Sequence, residues 1–334
     1  MPVAAFGIMI PQGWFAELPP PMPAPQQWGE MVRVAREVED LGYASGWLFD
    51  HFRPHPSIPT ERAPQTSTFE CWTGLSALAR ETRRLRLGSL VTAQGYRSPA
   101  LLAKMAASVD VISGGRLEFG IGAGTFEEEH RSYGFPFDPP RARIAQLEEA
   151  IQIVRAMWQE EKATFAGRYF AVREAPCVPK PVQRPGPPIT VGAGLGRKLP
   201  VLRVAARWAD RCNLLRCDEE ECARQLGILR RHAEAVGRDY DALEKSVHLG
   251  LLIGRDAKEV ERRLRRRKPA DLSLAAFRAQ QEPGAVIGTP EEVTARLLRY
   301  RDLGVTYFIF QVDGALEGDP LRLFADEVMP HMAG

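Results

Sequence analysis

Two residues that follow one another combine a carboxylate with an imidazole, namely Asp50 and His51. They come directly after the apolar run Ser45 to Phe49, which is typical of a buried strand. A carboxylate beside an imidazole can hold one ring tautomer, and the imidazole can then exchange a proton near neutral pH. The same pair is also compatible with a turn cap at Asp50 and simple packing of His51. From these two residues alone, acid–base chemistry and a structural role both stay open.

Glycine-containing segments follow two other apolar runs. The segment Gly192 to Lys198 contains three glycines and two cations between a strand and a helix start, where free amide groups favour an anionic phosphate. The segment Gly122 to Gly124 is almost without side chains and would let a flat ring approach the backbone. Either segment could instead be a tight turn or relieve crowding at a strand end.

A metal site is the competing interpretation of the polar residues. Asp50, His51, His55 and Glu129 could be ligands in a barrel hydrolase, but the sequence lacks a second convincing strand end that carries His. We therefore predict no metal. The cysteines are odd in number and form no CxxC motif, so we predict neither a disulfide framework nor a zinc ribbon, and we expect a cytoplasmic location. The cysteines are Cys71, Cys177, Cys212, Cys217 and Cys222.

These candidate residues belong to a repeating pattern of strand and helix. The clearest unit has an apolar run at Leu85 to Val91, a helix that begins after Ser98, and a second apolar run at Leu117 to Ile121. Leu102, Met105, Ala106, Val109 and Ile112 recur as one face of that helix. Candidate residues follow the strand ends, which is typical of the active-site rim of a parallel barrel.

Eight such strands predict an α/β fold, a (β/α)8 TIM barrel with inserted loops, as one domain over residues 1–334. A hairpin is expected at Thr164 to Phe170, a long loop at Phe126 to Pro140, and an inserted helix or mobile segment at Gly254 to Gly288. The predicted strands are Ala4 to Ile10, Ser45 to Phe49, Leu85 to Val91, Leu117 to Ile121, Pro188 to Val191, Arg211 to Leu215, Ser246 to Ile253 and Tyr307 to Val312.

The charge balance excludes two classes of partner. A formal net charge of +2 over 334 residues favours neither nucleic acid nor a membrane surface. No apolar run approaches the length of a membrane span. The basic run Arg262 to Lys268 is therefore interpreted as a solvated helix face. A small organic molecule is the expected partner.

Six blocks of the chain, in this order, resemble the bacterial luciferase-like monooxygenase superfamily. They are FGIMIPQ, GYASGWLFDHF, RLRLGSLVTAQGYRSPALLAKMAASVDVISGGRLEFGIGAG, EEEHRSYGFPF, PCVPKPVQRPGPPITVGAG and AARWADRCNLL. The resemblance spans Phe6 to about Leu215 and is weakest over Gly254 to Gly288. The DHF, GYRSPALLAKMAASVDVISGGR and GAG blocks are most similar to the subgroup that uses coenzyme F420, an 8-hydroxy-5-deazaflavin. Other members of the superfamily use reduced FMN.

The resemblance assigns roles to the candidate residues. It implies that His51 is the acid–base group, and that Asp50 contacts the cofactor or orients His51. It implies a non-prolyl cis peptide at Leu90-Val91 that supports the cofactor ring, with Thr92 near the ring edge and Gly122 to Gly124 as its floor. The cofactor-binding candidates are Asp50, Leu90, Val91, Thr92, Gly122, Ala123, Gly124, Gly192, Gly194, Gly196 and Arg197, the last four for the phosphate.

The implied activity is hydride transfer between C5 of coenzyme F420 and an organic substrate. The alternative is a two-component FMN monooxygenase that uses reduced flavin and oxygen, and a flavin-binding protein without activity is a third possibility. The resemblance also implies a homodimer, with a flavin or F420 reductase that supplies reduced cofactor. Members that oxidise a sugar phosphate carry Trp where this chain has His55 and Glu where it has Thr125, so we do not expect that substrate.

Overall fold

A closed barrel of eight parallel strands forms the centre of the computed structural model, which describes residues 3–18, 22–58, 66–193 and 199–333. The last barrel strand pairs with the first, Phe308 opposite Phe6, and this pairing closes the cylinder. The barrel strands are β1 (Ala5–Met9), β2 (Ser45–Leu48), β3 (Arg86–Ser89), β5 (Leu117–Gly122), β8 (Ile189–Gly192), β9 (Arg211–Leu215), β10 (Glu244–Ile253) and β12 (Tyr307–Val312). The predicted TIM barrel is confirmed.

Helices surround the barrel and follow its strands. Helix α3 shows the local cause clearly, since Pro99 is its first residue and Gly114 ends it in a left-handed conformation at φ 71°. The helices are α1 (Ala24–Asp40), α2 (Cys71–Glu81), α3 (Pro99–Ser113), α4 (Glu127–Ser132), α5 (Pro140–Gln159), α6 (Val201–Trp208), α7 (Glu219–Ala235), α8 (Ala257–Arg267), α9 (Leu274–Gln281), α10 (Pro290–Asp302) and α11 (Asp319–Glu327).

Elements outside the strand–helix repeat include the expected hairpin and several helices that the sequence analysis did not place. The expected hairpin exists as the antiparallel pair β6 (Lys162–Ala166) and β7 (Ala171–Pro176). The segment predicted as a loop before Pro140 contains α4, a single short helix whose acidic first turn favours the helix dipole. The segment between Gly254 and Gly288 holds α8, α9 and strand β11 (Ala285–Gly288), which pairs with β10. A further short strand, β4 (Thr92–Ala93), pairs with β5.

Apolar side chains fill both the shell between barrel and helices and part of the lumen. The large shell cluster includes Trp72, Phe119, Phe308 and Phe324. A smaller cluster lies inside the barrel and includes Met9, Trp14, Trp47, Phe49 and Leu90. None of the helices within the described ranges is both long and apolar enough to span a membrane.

The amino-terminal end of the lumen is closed by charged residues. Glu118 accepts a hydrogen bond from Arg211 at 2.8 Å and another from Arg86, and Arg211 also donates to Glu244 at 2.6 Å. The Arg211 guanidinium lies 3.9 Å from the centre of the Tyr307 ring. Burial alone would lower the pKa of Arg211, but Glu118, Tyr307 and Glu244 together outweigh burial, and the pKa lies above its usual value. This end of the barrel is therefore a paired ion network.

Candidate functional site

His51 lies at the carboxyl-terminal rim of the barrel and is held by a carboxylate from a distant segment. Its Nδ1 lies 2.7 Å from Oε2 of Glu129, on α4. The other oxygen, Oε1, accepts hydrogen bonds from the backbone N–H of Phe52 at 2.7 Å and of Arg53 at 3.3 Å. The Tyr96 hydroxyl also donates to Glu129 Oε2. The carboxylate that orients His51 is therefore Glu129.

These contacts keep Glu129 ionised although it is only 2 % exposed. Burial would raise the pKa of its carboxyl, but the hydrogen bonds from His51 and Tyr96 and the one from the Phe52 backbone outweigh burial. The pKa of Glu129 lies below its usual value. An ionised acceptor at Nδ1 favours the tautomer with the proton on that nitrogen, and Nε2 is then left to exchange a proton.

Asp50 does not take part in this pair, so the expectation that it orients His51 is wrong, and its contact with the cofactor stays a prediction. Its carboxylate accepts from both terminal nitrogens of Arg97, at 2.5 and 3.1 Å, and Arg97 also donates to Glu70 at 2.5 Å. Asp50 is fully buried, and burial raises the pKa of its carboxyl although Arg97 opposes that shift. Arg97 occupies both oxygens of Asp50, so this carboxylate is not available to the His51 ring.

Aromatic rings line one side of the rim beside His51. The Trp14 ring stacks on His51 with centroids 4.0 Å apart and planes 14° apart. Phe15 stacks on His55 at 4.5 Å, and Phe126 contacts His51 edge-on at 5.1 Å. Burial, and then Arg216 and His51, lower the pKa of His55 to about 4, so this imidazole is neutral at neutral pH. We call Trp14, Phe15, His55 and Phe126 the aromatic wall.

The peptide between Leu90 and Val91 is cis, which is the geometry implied by the resemblance. The Val91 side chain occupies space that Gly122 and Gly192 leave free, since an added Cβ would lie 2.8 Å and 3.0 Å, respectively, from Val91 Cγ2. The position of Val91 therefore requires glycine at 122, and a Cβ at 192 would fit only if Val91 shifted slightly. The Val91 side chain is partly exposed and packs against the cluster that contains Trp14.

The remaining cofactor candidates differ in their exposure at the rim, and some of them lie outside the described residues. Ala123 and Gly124 are partly exposed at the rim. Gly124 has a φ of 79°, and a Cβ added to it would lie 3.1 Å from Cε1 of His130. Thr92 is fully buried and accepts a hydrogen bond from the Trp72 indole at 2.9 Å, so its hydroxyl is already engaged. Gly194, Gly196 and Arg197 lie outside the described residues. Across the described ranges, no three His, Cys, Asp or Glu side chains are arranged to hold a metal ion.

A family model described as luciferase-like monooxygenase matches residues 5–307, which is most of the chain. The chain belongs to the luciferase-like monooxygenase family. It is 27 % identical over 323 residues to an F420-dependent glucose-6-phosphate dehydrogenase of Kineococcus radiotolerans, covering 90 % of this chain and 92 % of that protein. It is also 27 % identical over 372 residues to a phthiodiolone/phenolphthiodiolone dimycocerosates ketoreductase of Mycobacterium tuberculosis, covering 95 % and 94 %.

Solved structures of luciferase-like fold are similar along the whole chain. The monooxygenase RslO1 from Streptomyces bottropensis has a TM-score of 0.78 at 25 % identity and covers 98 % of this chain and all of its own. An F420-dependent secondary alcohol dehydrogenase, solved with an F420–acetone adduct, has a TM-score of 0.79 at 17 % identity and covers both chains fully. At that identity the second likeness supports the fold alone.

The described rim has features that fit a planar cofactor of this luciferase-like family. Val91 offers an apolar surface, and Gly122 and Gly192 beside it carry no side chain. His51 belongs to the same packed region through Trp14, so a proton-exchanging group lies beside that surface. The residues present therefore fit a flat ring system such as a deazaflavin or a flavin.

Three site residues are not recognised from the sequence in the roles that the structure gives them, and Glu129 appears there only among the ligands of the rejected metal site. Glu129 stands among three consecutive glutamates, Arg97 lies in a loop, and Trp14 follows β1 without a periodic pattern. Each joins a partner far away in sequence, 78 residues apart for Glu129 and His51 and 47 for Arg97 and Asp50. Their position in the chain is the signal that could have identified them, since each of the three residues follows a barrel strand and therefore lies on the rim.

Proposed function

We propose that this protein is an F420-dependent oxidoreductase that transfers a hydride between C5 of the deazaflavin and a small organic substrate. The observation that carries the proposal is the His51–Glu129 pair next to the Val91 surface, within a luciferase-like barrel. The relatives named as F420-dependent dehydrogenases support the choice of cofactor. When bound, coenzyme F420 would supply a two-electron hydride donor or acceptor that reacts poorly with oxygen.

The protein's own residues would handle the proton that accompanies the hydride. Glu129 holds His51 through Nδ1, which leaves Nε2 to give a proton to a carbonyl oxygen or to take one from a hydroxyl. The aromatic wall excludes water from one face of this imidazole. Val91, Ala123 and Gly124 would support the ring, and Gly192, Gly194, Gly196 and Arg197 would bind the phosphate.

Substrate choice is expected to differ from that of the sugar-phosphate relatives. His55, which replaces the Trp found in those enzymes, stacks on Phe15 and is part of the aromatic wall. Thr125 replaces their Glu, and the nearest acid–base carboxylate here, Glu129, comes from α4. We propose an alcohol, ketone, imine or activated alkene in place of a sugar phosphate.

A second candidate function is a monooxygenase that uses reduced FMN and oxygen. The likeness to the monooxygenase RslO1, 25 % identical across the chain, favours it. A flavin reductase would then supply the reduced cofactor, whereas an F420 reductase would do so for the first function. The two candidates share the barrel and the rim, so the identity of the cofactor separates them.

The deciding experiment titrates the purified protein with coenzyme F420 and with FMN, each oxidised and reduced, and follows tryptophan fluorescence. Trp14 beside His51 provides a reporter at the site. We expect micromolar or tighter binding of coenzyme F420 and at least about tenfold weaker binding of FMN, a gap of roughly 1.4 kcal/mol. The reverse preference, with oxygen consumption by the reduced FMN complex, would establish the monooxygenase instead.

Two further properties are proposed for the assembled protein. We propose a homodimer, because Leu101, Val111 and Ile112 form an exposed apolar stripe on α3 with Val178 and Val182 nearby. We propose a cytoplasmic location because the five cysteines are free and buried. Sedimentation of the wild type and of Leu101→Glu would test the dimer, since the added charge should produce monomers.

A further inference from the structure

A cavity of about 390 Å³ opens on the rim next to the aromatic wall. Its sides come from the ends of β10 and β12 and from the inserted helices α8 and α9, which contribute Leu264 and Phe277. Phe15 lines the cavity as well as belonging to the wall, so the two features are continuous. The cavity is large enough for a small organic molecule.

Arg216 is the polar residue that best defines this cavity. It comes directly after β9, and its backbone has a φ of 42°, a left-handed conformation that residues with a side chain rarely adopt. Its backbone N–H donates to the His248 carbonyl at 2.9 Å, which fixes this turn. Its guanidinium donates to Gln311 Oε1 at 2.6 Å and lies 5.7 Å from the centre of the Phe15 ring. Uncommon backbone conformations of this kind concentrate at functional sites.

The other charges of the cavity already have partners. Asp313 pairs with Arg267 at 3.2 Å, and Glu317 pairs with Arg263 at 3.3 Å. The Glu17 carboxylate accepts a hydrogen bond from the Phe15 backbone at 2.9 Å. Arg216, in contrast, has no carboxylate within 4.0 Å in the part of the chain that the structure describes. A guanidinium has five N–H donors, so most of those of Arg216 remain free for a ligand.

The position of Arg216 relative to His51 connects the cavity with the proposed reaction. Phe15 lies under the guanidinium, contacts Trp14 at 4.6 Å, and Trp14 stacks on His51 at 4.0 Å. Two rings therefore separate a cation with free donors from the proton-exchanging imidazole. A ligand that contacts both Arg216 and His51 would carry an anionic group at the Arg216 end and its reacting carbon near the His51 end.

We propose that the substrate is an organic acid whose carboxylate binds Arg216 and whose apolar or aromatic body lies along the aromatic wall. This inference rests on the proposed function for the reaction, although the acid-binding site itself does not depend on the cofactor. A carboxylate matches the forked geometry of a guanidinium and can accept two parallel hydrogen bonds from it. Phe15 and Trp14 would contact the body of the substrate.

The test measures binding of two probes to the cofactor-free protein by calorimetry. The probes are 3-phenylpropionate and its neutral amide, 3-phenylpropanamide, which differ in charge and little in shape. We expect the acid to bind at least about tenfold tighter than the amide, because hydrogen bonds to charged groups are the stronger ones. Equal binding of the two probes, or no binding of the acid, would overturn the proposal without any variant.

Variants test which residue causes the preference for the acid over the amide. Arg216→Gln should lower acid affinity by about tenfold and leave the amide unchanged, and Arg216→Lys should keep part of the preference. The matched control is the double variant Arg267→Gln with Asp313→Asn, which removes an ion pair of no net charge from the same cavity, and it should change acid affinity by less than about threefold. A larger loss in this double variant than in Arg216→Gln would overturn the assignment.

A parallel titration with coenzyme F420 separates this inference from the proposed function. We expect Arg216→Gln to bind the cofactor as the wild type does. If the variant lost cofactor affinity and kept its preference for the acid, Arg216 would be a cofactor residue and the inference would fail. If the wild type bound the acid through Arg216 but neither form of coenzyme F420, the proposed function would fail and the acid site would stand.

Discussion

The two ends of the barrel lumen both bury carboxylates, but they use them differently. At the amino-terminal end Glu118 is 2 % exposed and is paired with Arg211 and Arg86. At the carboxyl-terminal rim Glu129 is equally buried, and its ionisable partner is His51. The guanidinium of an arginine keeps its protons at any ordinary pH, whereas the imidazole of a histidine can give or accept one. Similar burial therefore gives a permanent ion network at one end and a proton-exchanging pair at the other.

The difference shows what each end contributes. Charges that are fully paired in a closed space can hold neighbouring strands in register, but they offer nothing to a ligand. At the rim, Asp50 with Arg97 resembles the closed network, whereas the His51–Glu129 pair keeps a ring nitrogen for other chemistry. Substitutions at the two ends should thus separate stability from turnover.

The largest effect is expected from Glu118→Gln, which removes the central carboxylate of the closed network. Breaking a buried pair leaves a charge without compensation, so the free energy of unfolding should fall by about 3–5 kcal/mol. Urea denaturation followed by circular dichroism measures this change. The folded fraction of the variant should bind coenzyme F420 as the wild type does, because no rim residue is altered.

The matched control for that substitution is Glu261→Gln on α8, whose partner Arg265 is largely exposed. An exposed pair between neighbouring turns of a helix is worth about 0.5 kcal/mol or less. If the two variants lost similar amounts of stability, the network at the amino-terminal end would not be the stabilising element that we infer.

The next effect is expected at the rim. His51→Ala should lower turnover by about a hundredfold, the lower range for loss of a general acid–base group, and should leave the dissociation constant of coenzyme F420 nearly unchanged. Glu129→Gln should lower turnover by about tenfold, because the neutral amide does not offer an ionised acceptor to Nδ1 of His51. Stopped-flow reoxidation of the reduced cofactor, with a substrate found by screening, measures both.

A double variant tests whether Glu129 acts through His51. Residues that function as one unit have non-additive effects, so His51→Ala with Glu129→Gln should be no slower than His51→Ala alone. Multiplied losses in the double variant would mean that Glu129 has a separate role. Weakened cofactor binding in His51→Ala, with unchanged chemistry, would refute the role of His51.

The barrel strands could be predicted from sequence because each is a local pattern with clear limits. Strands β9 and β12 have the predicted bounds, Arg211–Leu215 and Tyr307–Val312, and β2 differs by one residue. Each is a short run of mostly apolar residues whose burial on both faces depends only on its own composition. Helix α4 was missed because six residues with three consecutive glutamates carry no apolar period.

The candidate site could be predicted only in part, for a related reason. His51 was named from a local pair at a predicted strand end, and the cis peptide at Leu90-Val91 was implied by the resemblance to the family. The partner of His51 could not be predicted, because adjacency in sequence suggested Asp50. In the structure, the Asp50 side chain pairs with Arg97 instead. Contacts between rim loops depend on strand order and loop length, and a single sequence does not display either.

An effect that depends on pH is expected from His248, which lies in the lumen between the two ends. It is on β10 and fully buried, and within the described ranges its Nε2 has no hydrogen-bond partner. Burial, and then the Arg216 guanidinium, lower the pKa of His248 to about 3. A histidine kept neutral in the folded state contributes stability that is present above pH 6.5 and is lost as pH falls toward 3.

By pH 5 the unfolded chain takes up a proton at this position and the folded protein does not, which costs about 2 kcal/mol. His248→Gln cannot titrate, so its free energy of unfolding should fall less between pH 7.5 and pH 5 by about that amount. The charges facing this position include Arg216, and His55 titrates in the same direction with a pKa of about 4. The comparison between variant and wild type cancels the contribution of His55, and the exposed His331→Gln serves as the control. Equal losses in wild type and His248→Gln would contradict the low pKa of His248, because a histidine that is protonated in both the folded and the unfolded state adds no such difference.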